Sequence, residues 1–322
     1  MPDVRDGLQA FFILDAIGKT PIVQLRKIVP KGSADILVKL EYFNPTGSYK
    51  DRMALAMIEE AEKRGDLRPG MTVVEYSGGS TGSALAFVCA VKGYRLTVVS
   101  SDAFAIEKLK TMKAFGAELF IVPSEGGKTT PDLIPRMVEK ARSLAESEDC
   151  YFTNQLHNSD IIIGHRNIGK ELLQQVDRQI DAFCGGVGTA GMLMGVSLEL
   201  RQVYPKVRIV ALEPATTAVI SGGNAGSHDV EGIGIGYAPP LLDEELYDEA
   251  RGIDEKEARR TVRLLAQEEG IFAGTSSGLN VVGALQLAKE LGEGNKSDAR
   301  YFNPVSTATV TTVFPSPSSF AN

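Results

Sequence analysis

The sequence predicts an α/β protein in two parts, each a parallel sheet covered by helices. Three observations carry that expectation. From Met53 onward, helical and strand patterns alternate along the chain, which is the signature of strand–helix–strand units. The strand segments are short apolar runs without strict alternation, as expected of sheets buried on both faces. The helical segments stop at glycines, the usual residue just past a helix C-terminus.

Taken in order, Met53–Arg64 reads as an amphipathic helix stopped by Gly65, and Thr72–Glu75 as a strand. Thr81–Lys92 is an apolar helix stopped by Gly93, Leu96–Ser100 a strand, Ile106–Phe115 a helix stopped by Gly116, and Glu118–Val122 a strand. Leu133–Glu146 and Asp160–Gln175 read as helices, Ala182–Cys184 as a strand, Met192–Val203 as a helix and Arg208–Leu212 as a strand. No repeat and no low-complexity linker interrupts the series, so Ser124–Pro131 and the turn near Asn154–Asn158 are the candidate boundaries.

Composition removes several function classes. The chain has 322 residues, a net charge of −7 and a pI near 5.2. That length suits two domains, and that charge gives no electrostatic reason to bind nucleic acid or anionic lipid. The longest apolar run, Ser83–Val91, is far too short to span a membrane. Met1–Gly7 carries two acids and no apolar stretch, so no secretory signal is expected. Cys89, Cys150 and Cys184 form neither a disulfide framework nor a metal spacing, which suits a reducing cytoplasm. With three histidines and no HExxH or CxxC, no metal site is expected.

Two glycine-rich loops each follow a strand and open a helix: Ser77-Gly78-Gly79-Ser80-Thr81-Gly82, and Gly185-Gly186-Val187-Gly188-Thr189-Ala190-Gly191. Converging backbone N–H groups and a helix N-terminus make such loops anion sites. Two of them, both carrying hydroxyls, suggest a phosphate and a carboxylate. The second loop is also a literal GxGxxG, with Glu213 about 20 residues further on where a dinucleotide enzyme places its ribose-binding acid. Pro214 directly after that acid, and the other motifs left unexplained, weigh against this competing reading.

Asn44-Pro45-Thr46-Gly47-Ser48-Tyr49-Lys50-Asp51-Arg52 is the most informative segment. Asn-Pro and Thr-Gly force a turn before a helix, which places Lys50 near a helix start. Burial and a helix N-terminus both favour the neutral amine that Schiff-base chemistry needs. Taken alone, the segment reads equally as a surface Lys-Asp-Arg charge run.

Ile17-Gly18-Lys19-Thr20-Pro21-Ile22-Val23-Gln24-Leu25 resembles the opening motif of the cysteine synthase (O-acetylserine sulfhydrylase) and cystathionine β-synthase family. Lys39-Leu40-Glu41-Tyr42-Phe43, followed by Asn44–Arg52, resembles its cofactor-lysine segment. The resemblance runs from about Ile13 to about Gly292. It implies a fold type II (tryptophan synthase β-like) enzyme with pyridoxal 5'-phosphate (PLP) as cofactor. By that resemblance Lys50 is the catalytic lysine that holds PLP as a Schiff base. Ser77, Gly78, Gly79 and Thr81 bind the substrate carboxylate, and Gln155 meets it too. Gly188, Thr189, Ala190, Gly191 and Met192 form the phosphate loop, and Ser276 meets the pyridine nitrogen. Gly232, in Gly232-Ile233-Gly234-Ile235-Gly236-Tyr237, lines the substrate site in a flexible segment.

The chain departs from the family's pattern at identifiable points. Ser80 stands where the family has an asparagine that contacts the ring hydroxyl, Gly78 replaces a loop serine, and Met192 replaces a threonine hydroxyl at the phosphate. Past Gly292, residues 295–322 are rich in Ser, Thr and Pro and do not resemble the family's closing segment, although Val310–Val313 could form a strand.

The resemblance implies a smaller, mobile domain at 40–153 and a larger, cofactor-phosphate-binding domain formed by 1–39 with 154–322. It implies β-replacement on an activated serine-type amino acid by a small nucleophile such as sulfide, in a cytoplasmic homodimer. The alternatives are a β-eliminating lyase of the serine or threonine deaminase kind, and a weakly catalytic PLP-binding relative.

Overall fold

The computed structural model describes residues 12–127, 132–294 and 309–313, so Met1–Gly7 and most of the tail lie outside the described residues. Strands β1 (Ile22–Gln24) and β2 (Asp35–Lys39) come first, then helix α1 (Lys50–Arg64). The chain then alternates through β3 (Thr72–Tyr76), α2 (Ser80–Lys92), β4 (Arg95–Ser101), α3 (Ile106–Ala114) and β5 (Glu118–Val122). It continues as α4 (Leu133–Leu144), β6 (Cys150–Phe152), α5 (Asp160–Gln175), β7 (Ala182–Gly186), α6 (Gly191–Val203) and β8 (Arg208–Pro214). The last elements are β9 (Glu249–Ile253), α7 (Glu255–Leu264), a π-helical turn at Leu265–Glu269, α8 (Thr275–Gly294) and β10 (Thr309–Val313).

The chain divides into two units, Met1–Lys19 with Asn44–Asn154 and Thr20–Phe43 with Gln155–Asn322. These limits differ from those read in the sequence on the N-terminal side. Residues 12–19 go with the first unit, where the Gly18 N–H donates to Asn44 Oδ1 at 2.8 Å. Residues 40–43 go with the second, where the Leu40 N–H donates to the Pro21 carbonyl at 2.9 Å.

The first unit has a four-stranded sheet in the order β5-β4-β3-β6, parallel throughout. Helix α1 buries Met53, Met57, Ile58 and Ala61 completely, a stripe at helical spacing. It ends at Gly65, whose φ of +79° is the left-handed conformation of a helix stop.

The second unit has a six-stranded sheet in the order β1-β2-β10-β7-β8-β9. Every pair is parallel except β1 with β2. Strand β7 is buried along its whole length and β8 from Ile209 to Pro214, which is why neither alternates in sequence. Ile36, Val38, Cys184, Val210, Leu212, Leu279 and Leu287 form part of one core between sheet and helices. Each fully buried residue of this size contributes about 1.5–3 kcal/mol.

The strand suspected in the atypical tail is present, extended by one residue, and lies in the middle of the sheet. Residues 309–313 of β10 pair with 35–39 of β2, and residues 310–312 with 182–184 of β7. The last described segment therefore joins β1-β2 to β7-β8-β9.

Candidate active site

Lys50 is the first residue of α1, directly after Tyr49. The turn before it is pinned at several points. Gly47 N–H donates to the Asn44 carbonyl at 2.8 Å, Thr46 N–H donates to Asp51 Oδ2 at 2.8 Å, and the Thr46 hydroxyl donates to Asp51 Oδ1. Lys50 N–H donates to Ser48 Oγ at 3.2 Å. Lys50, Asp51 and Arg52 are 8, 0 and 4% exposed, so the surface charge-run reading fails. Among the described residues the Lys50 ammonium meets no carboxylate and no hydrogen-bond acceptor, only the face of the Tyr49 ring at 4.6 Å. Lys39, the other buried lysine among the described residues, is fully engaged: its Nζ reaches Glu171 Oε2 at 2.8 Å, the Thr20 carbonyl at 2.7 Å and Gln175 Oε1 at 3.0 Å. A buried ammonium is costly unless paired. Lys39 satisfies that condition and Lys50 does not.

In the same unit, the loop from Ser77 to Gly79 leaves the C-terminal end of β3 and opens α2 at Ser80. Ser77 Oγ accepts from the N–H groups of Gly79 at 3.2 Å and Gly82 at 3.0 Å, so this hydroxyl shapes the loop from inside. Gly78, Gly79 and Ser80 are half-buried, and Thr81 is buried. The serine missing at Gly78 has a physical reason: a Cβ there would lie 2.4 Å from ring atoms of Phe104. The aromatic ring occupies the space a loop side chain would need.

In the second unit, the loop after β7 leads into α6, which begins at Gly191 with Ala190 as its N-cap. Ala190 has φ 67° and ψ −19°, a left-handed conformation that strains a residue bearing a Cβ. Thr189 is 8% exposed, and its hydroxyl makes no hydrogen bond among the described residues. The backbone N–H groups of the first turn of α6 have no intrahelical partner, the geometry that receives anions. Met192 is buried, and a Cβ on Gly185 would lie 2.6 Å from its Cε. Its side chain packs back against β7, leaving its main chain for any ligand. At Gly188 a Cβ would lie 2.3 Å from the Gly232 carbonyl oxygen, so the loop and the 232–237 segment touch backbone to backbone.

Ser276 stands in the first turn of α8, 7% exposed, with its hydroxyl unbonded among the described residues. Gln155 is half-buried just after Asn154, whose φ is 47°. Glu213, the candidate ribose acid, is already used: it accepts from the N–H groups of Ile220 at 3.0 Å and Ser221 at 2.7 Å, and from the Ser221 hydroxyl at 2.8 Å. The dinucleotide reading loses its acid. Cys89 is buried, and burial pushes its thiol up to about 12, which makes it inert. Among the described residues no group of side chains could hold a metal ion, and no helix is long and apolar enough to cross a membrane.

Sequence reasoning missed three contributors. Tyr49 lies under the lysine amine. Asn280, one helical turn after Ser276, accepts from the Gly186 N–H at 2.8 Å and so fixes the start of the loop. His228 precedes the 232–237 segment and bonds to it. A buried asparagine inside an apolar helix was the one visible signal. Nothing local marks the other two.

The chain matches the family model described as pyridoxal-phosphate dependent enzyme over residues 13–297. It is 43% identical over 284 residues to a cysteine synthase of Staphylococcus aureus, covering 88% of this chain and 90% of the relative. The O-acetyl serine sulfhydrylase isoform 3 of Entamoeba histolytica superposes with a TM-score of 0.86 at 31% identity, over 98% of this chain and 91% of that one. A solved O-ureido-L-serine synthase gives 0.83 at 36% identity, over 96% and 92% of the two chains. With a fold of type II and a family match that spans most of its length, the chain belongs to the pyridoxal-phosphate dependent enzymes.

Proposed function

We propose that this enzyme replaces the β-substituent of an activated serine, such as O-acetylserine, with a small nucleophile such as sulfide, and that Lys50 carries its cofactor. The observation that carries the reading is the buried Lys50 amine with no acceptor among the described residues. A protein tolerates that cost where the amine reacts. The residues present also fit PLP: the N-terminus of α6 receives the phosphate without a cationic side chain, and the free hydroxyls of Thr189 and Ser276 are available to it. When bound, PLP supplies an electron sink conjugated to the substrate α-carbon.

The chain's own groups divide the remaining work. Main-chain amides at 188–192 hold the phosphate. Ser276, a neutral hydroxyl, meets the ring nitrogen without holding a proton there, as an aspartate would. Amides and hydroxyls at Ser77–Thr81, with Gln155, hold the substrate carboxylate, and Ser80 serves in place of an asparagine. Gly232 bounds the substrate space. Lys50, once its amine is free, takes the α-proton. The β C–O bond then breaks, acetate leaves with the electron pair, sulfide adds at the β-carbon to form the C–S bond, and Lys50 returns the proton to the α-carbon. The loop itself offers only glycines and small hydroxyls, at Ser77, Gly78, Gly79 and Ser80, which favours an ester over free serine with its poor hydroxide leaving group. The relatives' names support this substrate class: cysteine synthase, O-acetyl serine sulfhydrylase and O-ureido-L-serine synthase. We further place the enzyme in the cytoplasm, on its free cysteines, as a homodimer whose 44–154 unit moves on substrate binding.

Product analysis tests the reading. With O-acetylserine and sulfide, cysteine should form clearly faster than pyruvate, and free serine or threonine should turn over slowly. Fast deamination of free serine or threonine, with no sulfide incorporated, would reassign the enzyme as a lyase.

A further inference from the structure

The segment 230–236 is built from backbone that needs outside support. Gly232, Gly234 and Gly236 all have positive φ, at 80°, 66° and 85°, and glycine supplies little intrinsic restraint. His228 meets this segment at two points. The Val230 N–H donates to Nδ1 at 3.1 Å. Nδ1 is therefore an acceptor, so the ring proton is on Nε2, and Nε2–H donates to the Gly234 carbonyl at 2.7 Å. One neutral imidazole uses both nitrogens, and only this tautomer satisfies both contacts.

Other backbone groups of the segment meet the phosphate loop. The Gly234 N–H donates to the Val187 carbonyl at 3.0 Å, and the Val187 N–H donates to the Leu212 carbonyl at 2.9 Å. The Gly232 carbonyl closes on Gly188, as described above. Ile233, between them, is buried and packs against Gly186. Gly234 is held so closely that a Cβ on it would lie 2.8 Å from both His228 Nε2 and Pro214 Cδ.

We propose that His228 is a positioning residue of the active site, holding Gly234 and Gly232 against the phosphate loop at Val187 and Gly188. This rests on the reading above that Gly188–Met192 and Gly232 serve cofactor and substrate. His228 touches neither, so its effect falls on how tightly substrate is held rather than on bond making.

Two conservative variants separate its two bonds. In H228Q the side-chain amide reaches about as far as Nε2 and keeps a donor for the Gly234 carbonyl. In H228N it reaches only as far as Nδ1, keeping the Val230 contact and losing Gly234. Losing one such bond weakens the hold by roughly three- to tenfold. The experiment is hydrogen exchange of residues 230–236 in the holoenzyme, alongside kcat and KM for O-acetylserine with sulfide. In H228N we expect exchange faster by that factor and KM raised by a similar one, and in H228A, which loses both bonds, at least as large a change, with kcat within about twofold in each. H228Q should restore KM and the exchange at 232–236, leaving only the Val230 amide fast, because its own acceptor at Nδ1 is lost. Unchanged exchange in H228A, faster exchange with unchanged KM, or rescue by H228N but not H228Q would each overturn the proposal. A wild-type protein inactive on O-acetylserine would defeat the functional reading instead, and the exchange data would still decide whether His228 ties the segment.

Discussion

Replacing Gly188 with alanine puts the contact between the phosphate loop and the 232–237 segment to a quantitative test. A Cβ at 188 would lie 2.3 Å from the Gly232 carbonyl oxygen, where contacts under 3.0 Å are essentially never found. The two backbones must therefore part by roughly 0.7 Å. That movement takes the Gly234 N–H to Val187 carbonyl bond from 3.0 Å to about 3.7 Å, which is no longer a hydrogen bond. The lost bond costs about 0.5–1.5 kcal/mol and the overpacking about 1–3 kcal/mol. Together these give about 1.5–4.5 kcal/mol, and because the loop must regain its native position to hold the phosphate, PLP binding weakens by about ten- to two-thousand-fold. Gly185→Ala is the matched control. Its new Cβ meets the Met192 Cε at 2.6 Å, the far end of a flexible side chain that can move aside, so the loss should stay below about tenfold. The assay is titration of each apoprotein with PLP by absorbance, with circular dichroism to confirm folding. Wild-type affinity in Gly188→Ala, or a larger loss in Gly185→Ala, would refute the reasoning.

Other perturbations follow from the same structure. Ala190→Gly removes the left-handed strain at φ 67°, worth about 1–2 kcal/mol, against an unfolded-state cost of about 0.5–1 kcal/mol; the melting temperature should rise or hold, and a clear drop would show that Ala190 is not strained. Ending the chain at Ala308 deletes β10 and splits the sheet between β2 and β7, so both PLP occupancy and melting temperature should fall sharply. Ending it at Pro315 keeps β10 and should leave both intact; equal behaviour of the two truncations would contradict the central place of that strand.

Much of the architecture was legible because buried parallel strands and glycine-stopped helices leave strong local marks. Glu118–Val122 and Asp160–Gln175 have the limits the pattern gave them. Helix α1 starts three residues before the apolar stripe at Met53, because Lys50, Asp51 and Arg52 are polar yet buried. Periodicity cannot show such a start. Strands β1 and β6, three residues each, are too short to carry a pattern, and β2 ends on Lys39, a lysine paired across 132 residues with Glu171. The loops and the lysine segment were visible as motifs. What holds them was not, because Asn280 and Phe104 come from elsewhere in the sequence and His228, six residues before Gly234, carries no local mark of its bond to it.

The most direct test of the account is chemical trapping of the cofactor lysine. The holoprotein is reduced with borohydride, digested and mapped by mass spectrometry. The account expects the pyridoxyl label on Lys50 and none on Lys39, which is also buried but paired to Glu171, Gln175 and the Thr20 carbonyl. Label on another lysine, or full cysteine-forming activity in Lys50→Ala, would contradict it.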